Sequence, residues 1–269
     1  MNNSNNSLPI GIFDSGVGGI SVLQHIHQRL PHESLIYVAD SLNAPYGTKS
    51  ADFIRQRALT LSDFLLEQGA KALVVACNTA TAAAVSVLRD TYQVPIIGME
   101  PAVKPAAAAS KSGVIGVLAT SGTLKSAQFA ALLDSYGQHV KVVTQACNGL
   151  VECVERGELS TEATRALLQG YVTPLLAAGA DTIVLGCTHY PFVRPLIEQL
   201  AGPGITLIDT GQAVAKHLEL RLQHANLLGD GNAQGQVQFW TNSEDAAAGD
   251  VIAQLWGSQV TVQPLSSQI

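Results

Sequence analysis

The sequence predicts an α/β protein with two lobes, and three observations predict it. Short apolar runs alternate with longer segments of helical period along the 269 residues, which is the pattern of βα units feeding a parallel sheet. The string Ile10-Gly11-Ile12-Phe13-Asp14-Ser15-Gly16 resembles Ile115-Gly116-Val117-Leu118-Ala119-Thr120-Ser121-Gly122 with one residue of slack, and two strands that end in cysteine recur at almost the same offset. Hydrophobic residues make up 47% of the chain and charged residues 13%, well under the roughly 25% charge of an ordinary globular protein. A sheet covered on both faces by Ala-rich helices accounts for that balance. The expected architecture is two facing flavodoxin-like lobes with mainly parallel sheets, related by a pseudo-twofold axis.

The elements follow in order. Pro9–Phe13 is an apolar run that stops at Asp14-Ser15-Gly16, so it reads as a strand, and Val17–Arg29 continues at helical period. Leu35–Ala39 is the second strand, and Ala51–Glu67 the second helix, with Ser50 as its N-cap. Leu73–Ala76 leads into Cys77 and a helix over Thr79–Arg89, and Pro95–Gly98 closes the set. A second set of strands lies at Val114–Ala119, Val140–Thr144, Thr182–Gly186 and Ile205–Ile208. Its helices are Thr123–Tyr136, Glu162–Ala177 and Phe192–Leu200, the last preceded by Pro191 in its first turn. A helix over Gln212–Leu222 opens a C-terminal segment, from Gly211 on, that has no counterpart in the second set and is expected to pack back on the first lobe. The first lobe is therefore assigned residues 1–99 plus 210–269, with Asp14 and Cys77, and the second residues 100–209, with Cys187 and His189.

The net charge is -6 and Lys and Arg form no basic run, which argues against a nucleic-acid partner. Met1–Ser7 has neither a basic nor an apolar signal region, and no apolar stretch approaches the length of about eighteen residues that a membrane span requires. A cytoplasmic location with reduced thiols is expected. The four cysteines, at 77, 147, 153 and 187, show no CxxC pair and no zinc-ligand spacing, so neither a disulfide framework nor a metal site is expected.

In each cysteine strand a β-branched apolar segment ends at a thiol, and small hydroxyl or amide residues follow it into a helix: Cys77-Asn78-Thr79 in one, Cys187-Thr188-His189 in the other. Chemistry that approaches one carbon from both sides needs two such groups. In a doubly wound sheet, ligands bind outside the carboxyl ends of the strands at the switch point. That rule makes Asp14 and Cys77 neighbours at a crevice, with Thr120 and Cys187 as their equivalents in the other lobe. The positive end of a helix favours thiolate over thiol, and Asp14 and His189 are placed to hold or relay the protons of Cys77 and Cys187. The competing reading makes both thiols small buried hydrophobes, the usual fate of a free cysteine; two matched strand ends weigh against it.

Gly16-Val17-Gly18-Gly19 follows a strand, opens a helix and has Asp40 about twenty positions on, as a dinucleotide fingerprint would. Ser21 at the third glycine position and Asp14 beside the turn count against that reading. The glycines are expected instead to bring the backbone close to a small ligand. Pro45-Tyr46-Gly47 lies at the same rim, and its amides are candidate anion donors. Cys147 and Cys153 fall in an irregular stretch and are expected to pack in the core.

Together these motifs resemble glutamate racemases, of the aspartate/glutamate racemase family. The strings that carry the resemblance are Gly11-Ile12-Phe13-Asp14-Ser15-Gly16-Val17-Gly18-Gly19, Pro45-Tyr46-Gly47, Cys77-Asn78-Thr79-Ala80-Thr81, Gly186-Cys187-Thr188-His189-Tyr190-Pro191 and Ile208-Asp209. The resemblance implies a cofactor-independent isomerase that interconverts L- and D-glutamate and supplies D-glutamate for peptidoglycan precursor synthesis. It implies Cys77 and Cys187 as the acid/base thiols, assisted by Asp14 and His189, with Asp14, Ser15, Pro45, Tyr46, Gly47, Asn78, Thr79, Thr120, Thr188 and His189 around the substrate. It also implies a glutamate after the pattern Cys-Pro-x-x-Val-x-x-Val-Glu, which places that role on Glu155; Asn148 stands where the pattern has proline. An aspartate or hydantoin racemase, a two-lobed binding protein without turnover and a pyridoxal-phosphate racemase are the alternatives. The last needs a Schiff-base lysine beside a phosphate cup, and none of the lysines sits at such a place. A homodimer is expected from the prevalence of symmetric pairs among soluble enzymes.

Overall fold

The computed structural model describes residues 7–137, 139–229, 231 and 234–266. The chain runs through β1 (Ile10–Asp14), α1 (Ile20–Arg29), β2 (Leu35–Ala39), α2 (Ala51–Glu67), β3 (Ala72–Val75), α3 (Asn78–Thr91), β4 (Ile96–Ile97) and α4 (Val103–Ala109). It continues through β5 (Val114–Ala119), α5 (Ser121–Leu124), α6 (Ala127–Tyr136), β6 (Lys141–Ala146), α7 (Leu150–Glu155), α8 (Glu162–Ala177), β7 (Thr182–Leu185), α9 (Arg194–Ala201) and β8 (Thr206–Ile208). The C-terminal elements are α10 (Gly211–His224), β9 (Val237–Thr241), α11 (Ala248–Trp256) and β10 (Val262–Pro264).

The strands form two sheets, ordered β10-β9-β2-β1-β3-β4 and β6-β5-β7-β8, and every pairing is parallel. The order β2-β1-β3-β4 is the order β6-β5-β7-β8 repeated. The register repeats as well: Ile10 faces Ala72 and Phe13 faces Val75 in one sheet, and Ile115 faces Thr182 and Leu118 faces Leu185 in the other. The α/β class with two mainly parallel lobes is thus the one expected. One equivalence differs. The register matches Asp14 with Ala119 and Ser15 with Thr120, so Thr120 corresponds to Ser15 and the second lobe has no carboxylate at the end of its first strand.

The C-terminal segment extends the first sheet, β9 pairing with β2 from Leu35–Val237 to Ala39–Thr241 and carrying β10 at the edge. Expectation stopped at the helix before them. Three further differences concern short helices: α4 was not expected, the single helix expected over Thr123–Tyr136 is divided into α5 and α6, and the stretch around Cys153, expected to be irregular, is α7, whose N-cap Gly149 has φ 89°. Cys147 and Cys153 are buried there, as expected of packing thiols. Among the described residues no helix is long and apolar enough to cross a membrane.

The central strands are buried on both faces, with Ile10, Ile12, Leu73, Val74 and Val75 at 0% exposure, each such side chain stabilising the fold by roughly 1.5–3 kcal/mol. One buried apolar cluster joins Ile12 and Ile20 of the first lobe to Leu118, Ile183 and Tyr190 of the second, so the lobes share a core. At the opposite end of the first sheet from the strand termini that matter below, Lys71 Nζ lies 2.6 Å from Glu33 Oε2, both side chains almost fully buried. The other Glu33 oxygen accepts the N–H of Gly229 at 2.7 Å, which ties the C-terminal segment to this pair. Removing one member of such a pair strands the other charge. Lys71→Met is therefore expected to cost about 3–5 kcal/mol, read as a lower denaturant midpoint at unchanged slope; a midpoint that stays in place would show the pair to be unimportant.

Candidate active site

Cys77 and Cys187 line one narrow cavity between the lobes. Both are nearly buried, at 5% and 8% exposure. Ser15, Pro45, Tyr46, Gly47, Asn78, Thr79, Thr120, Thr188 and His189 line the same cavity. The structure brings all of the expected substrate set together except Asp14, which stands behind Ser15. Val151 and Gly186 also line the cavity and were not in that set; Gly186 precedes its cysteine in a quoted string, while Val151 carries no signal short of the fold itself.

The wall of the first lobe is built by strand ends and one helix start. Cys77 is the N-cap of α3, and its sulfur accepts the N–H of Ala80 at 3.4 Å. Ser15 Oγ is 3.8 Å from that sulfur. Asp14, at 0% exposure, accepts N–H bonds from Ser15 and Gly19, both at 2.7 Å, and a hydroxyl bond from Thr188 of the other lobe at 3.2 Å. Burial pushes the Asp14 carboxyl up, and His189 nearby pulls it back. The helix end acts on Cys77 in the expected direction, through the Ala80 amide, but it is outweighed. Burial, reinforced by the Asp14 carboxylate, pushes the Cys77 thiol well up, and the Ala80 amide only moderates that. The surroundings of Cys77 thus favour the thiol over the thiolate.

The second wall carries a chain of three contacting side chains, called the relay below. Cys187 Sγ is 3.7 Å from His189 Nδ1, and His189 Nε2 is 2.5 Å from Glu155 Oε1. Burial disfavours charge on His189, but the bonds to Cys187 and Glu155 outweigh it and raise the imidazole well above its ordinary value. His189 thus stands between the Cys187 sulfur and the Glu155 carboxylate. Glu155, the residue that the pattern singles out, is the one that reaches the histidine.

The glycine-rich turn has a different task from the one expected. Gly16 and Gly18 are not among the residues lining the cavity. A Cβ on Gly16 would lie 2.0 Å from Glu155 Oε1, and one on Gly18 would lie 2.1 Å from His189 Nδ1. These glycines admit the relay of the facing lobe, and the negative charge the turn receives is a side chain's: Val17 N–H donates to Glu155 Oε1 at 2.8 Å. With the Val17 and Gly19 amides turned toward carboxylates, α1 begins at Ile20 and not at Val17. Gly47 likewise permits contact between lobes, since a Cβ there would lie 2.8 Å from Thr120 Cβ, and Thr79 Oγ1 meets Thr120 Oγ1 at 2.9 Å across the rim.

Asp40, the acidic residue of the dinucleotide pattern, is at 0% exposure and has no oxygen left for a ribose. Arg57 holds it through two bonds of 2.9 and 2.7 Å, and Asn43, Asn242 and the Tyr46 hydroxyl bond it as well. The Tyr46 hydroxyl is thereby directed away from the cavity and into this network. Asn78 is the converse case. It is 5% exposed and, among the described residues, neither its Oδ1 nor its Nδ2 has a hydrogen-bond partner. A buried amide that lines a cavity with both functions open suits a ligand offering an acceptor and a donor.

Two parallel α/β lobes that each present a thiol to one interlobe cavity define a class: two-lobed α/β enzymes of the isomerase type. The comparisons agree. A model of the Asp/Glu/hydantoin racemase family matches residues 10–218, and the chain belongs to that family. It is 58% identical over 255 residues to the glutamate racemase of Ectopseudomonas mendocina, covering 94% of this chain and 97% of that one. With the glutamate racemase of Methylococcus capsulatus the identity is 56% over 260 residues, covering 97% and 96%. Among solved structures, a glutamate racemase isoform from Bacillus anthracis superposes with a TM-score of 0.88 at 32% identity, covering 98% and 99%. The Escherichia coli glutamate racemase, in complex with L-glutamate and the activator UDP-MurNAc-Ala, gives 0.85 at 30% identity, covering 96% and 98%.

Proposed function

We propose that the chain is a glutamate racemase that inverts the α-carbon by proton transfer between Cys77 and Cys187. The observation that carries this reading is the shared cavity with a thiol on each wall, Asp14 beside the Cys77 thiol and His189 at 3.7 Å from the Cys187 sulfur. One cysteine, as thiolate, removes the α-proton of bound glutamate. A planar carbanion-like species forms, and the opposite thiol delivers a proton to the other face. Configuration inverts and each sulfur ends in the other's starting state. Asp14 serves the Cys77 side and the His189–Glu155 pair the Cys187 side.

The α-proton is a very weak acid, so charge growing on the substrate carboxylate needs preorganised donors. Asn78, Thr79 and Thr188 at the cavity, with the amides of the Tyr46-Gly47 turn, are the donors assigned to it. Closure of the lobes excludes water, which strengthens those bonds and protects the carbanion. The reading extends to a cytoplasmic homodimer that supplies D-glutamate for peptidoglycan precursor synthesis and needs no cofactor. The division into a first lobe of residues 1–99 plus 210–269 and a second of 100–209 belongs to the same reading.

The test incubates purified protein, without added cofactor, with each glutamate enantiomer in heavy water. Both enantiomers are expected to lose optical rotation and to gain deuterium at the α-carbon. Silence with glutamate and turnover of aspartate would move the assignment to the neighbouring substrate.

A further inference from the structure

The relay on the Cys187 wall is completed by a residue of the facing lobe. Glu155 and His189 come from the second lobe, but the Glu155 carboxylate is held from the first: Val17 N–H reaches Oε1 at 2.8 Å and Ser41 Oγ donates to Oε2 at 3.0 Å. Asp14 takes amide N–H bonds from Ser15 and Gly19 of its own lobe and a hydroxyl bond from Thr188 of the facing one. Ser41 is not among the residues lining the cavity, so it acts on the chemistry only through Glu155.

Ser41 is itself fixed. It opens a single 3₁₀ turn, Ser41–Asn43, directly after Asp40. Asp40 is clamped by Arg57, Asn43 and Asn242, and the N–H of the next residue, Leu42, donates to Asn242 Oδ1 at 3.0 Å. The end of β9 thereby holds the turn that presents the Ser41 hydroxyl, which gives the C-terminal strand a part in the site.

We propose that Ser41 is a positioning residue for the Cys187 proton relay, orienting Glu155 against His189 when the lobes meet. The inference rests on the two-thiol reading above. Without the Ser41 hydroxyl, Glu155 keeps the Val17 amide but loses the bond that fixes its second oxygen. His189 is then held less firmly at the Cys187 sulfur, and proton transfer at that sulfur slows. Transfer at Cys77 is untouched.

The test uses Ser41→Ala and the conservative Ser41→Thr, with α-deuterated and α-protiated forms of each enantiomer. kcat/KM for Ser41→Ala is expected to fall about tenfold, the loss of one hydrogen bond to a charged group. The fall is equal in both directions, as the equilibrium of a racemisation requires. The isotope effect on kcat/KM reports the deprotonation step of the enantiomer used. It is therefore expected to rise for the enantiomer that Cys187 deprotonates, identified as the one that still exchanges its α-proton in Cys77→Ser, and to decrease for the other. Ser41→Thr, which keeps a hydroxyl, is expected to restore both values.

A general loosening of the fold would not split the two enantiomers. Isotope effects unchanged in Ser41→Ala, or moved alike for both enantiomers, would overturn the assignment while leaving the two-thiol reading intact. Absence of an isotope effect with either enantiomer in the unmodified protein, together with turnover by the cysteine variants, would remove that reading and this inference with it.

Discussion

Cys77→Ser and Cys187→Ser are each expected to lower racemisation by about 10²–10⁴-fold, the usual contribution of a positioned acid or base. Serine keeps the size and the hydrogen bonds of the site but not the acidity. Its hydroxyl neither ionises nor gives a proton where a thiol does. The effect on stability should be small, because both sulfurs stand at a cavity wall and not at the centre of apolar packing. Each variant retains one base. Cys77→Ser is expected to exchange the α-proton of one enantiomer with solvent deuterium without inverting it, and Cys187→Ser to do the same with the other enantiomer. Near-normal turnover by either variant, or exchange of the same enantiomer by both, would be incompatible with thiols on opposite faces of one carbon.

The features that were legible in the sequence are those that local pattern decides. The apolar runs of β1, β3, β5 and β7 identify strands buried on both faces, and in a parallel sheet their carboxyl ends must converge, which is why Cys77 and Cys187 could be paired before any geometry was known. Elements whose identity depends on distant partners were harder. β9 is partly exposed and becomes a strand by pairing with β2, about two hundred residues earlier, and no periodicity encodes that pairing. α7 is six residues long and begins after a left-handed glycine, too short for a helical stripe to be read. The glycine turn misled for a related reason. Glycines report that something comes close but not what it is, and here the side chains of Glu155 and His189 come close. Ser41 escaped notice because its partner is 114 residues away and its turn has no distinctive composition.

That turn supplies the second large effect. Gly18→Ala places a methyl group where His189 Nδ1 now stands, at a separation of 2.1 Å, so either the imidazole or the turn must shift. The ring has little room to give. It is 1% exposed and bonded at Nδ1 to Cys187 and at Nε2 to Glu155. Moving it by about 1 Å breaks the alignment at the sulfur, a displacement that typically costs about 10²-fold in turnover. The turn cannot move freely either, since Gly19 N–H holds Asp14 and the Tyr37 hydroxyl holds the Gly16 carbonyl at 2.6 Å. kcat for Gly18→Ala is accordingly expected to fall about 10²-fold although residue 18 does not line the cavity. Gly113→Ala is the control for glycine replacement itself: Gly113 has φ 72°, so alanine strains the backbone there, but a Cβ would meet no atom within 4 Å. Its cost should appear in the melting temperature and not in kcat. If Gly18→Ala turned over within a few-fold of the unmodified protein, the close fit between turn and histidine would be incidental, and the relay on the Cys187 wall would not need the alignment assigned to it.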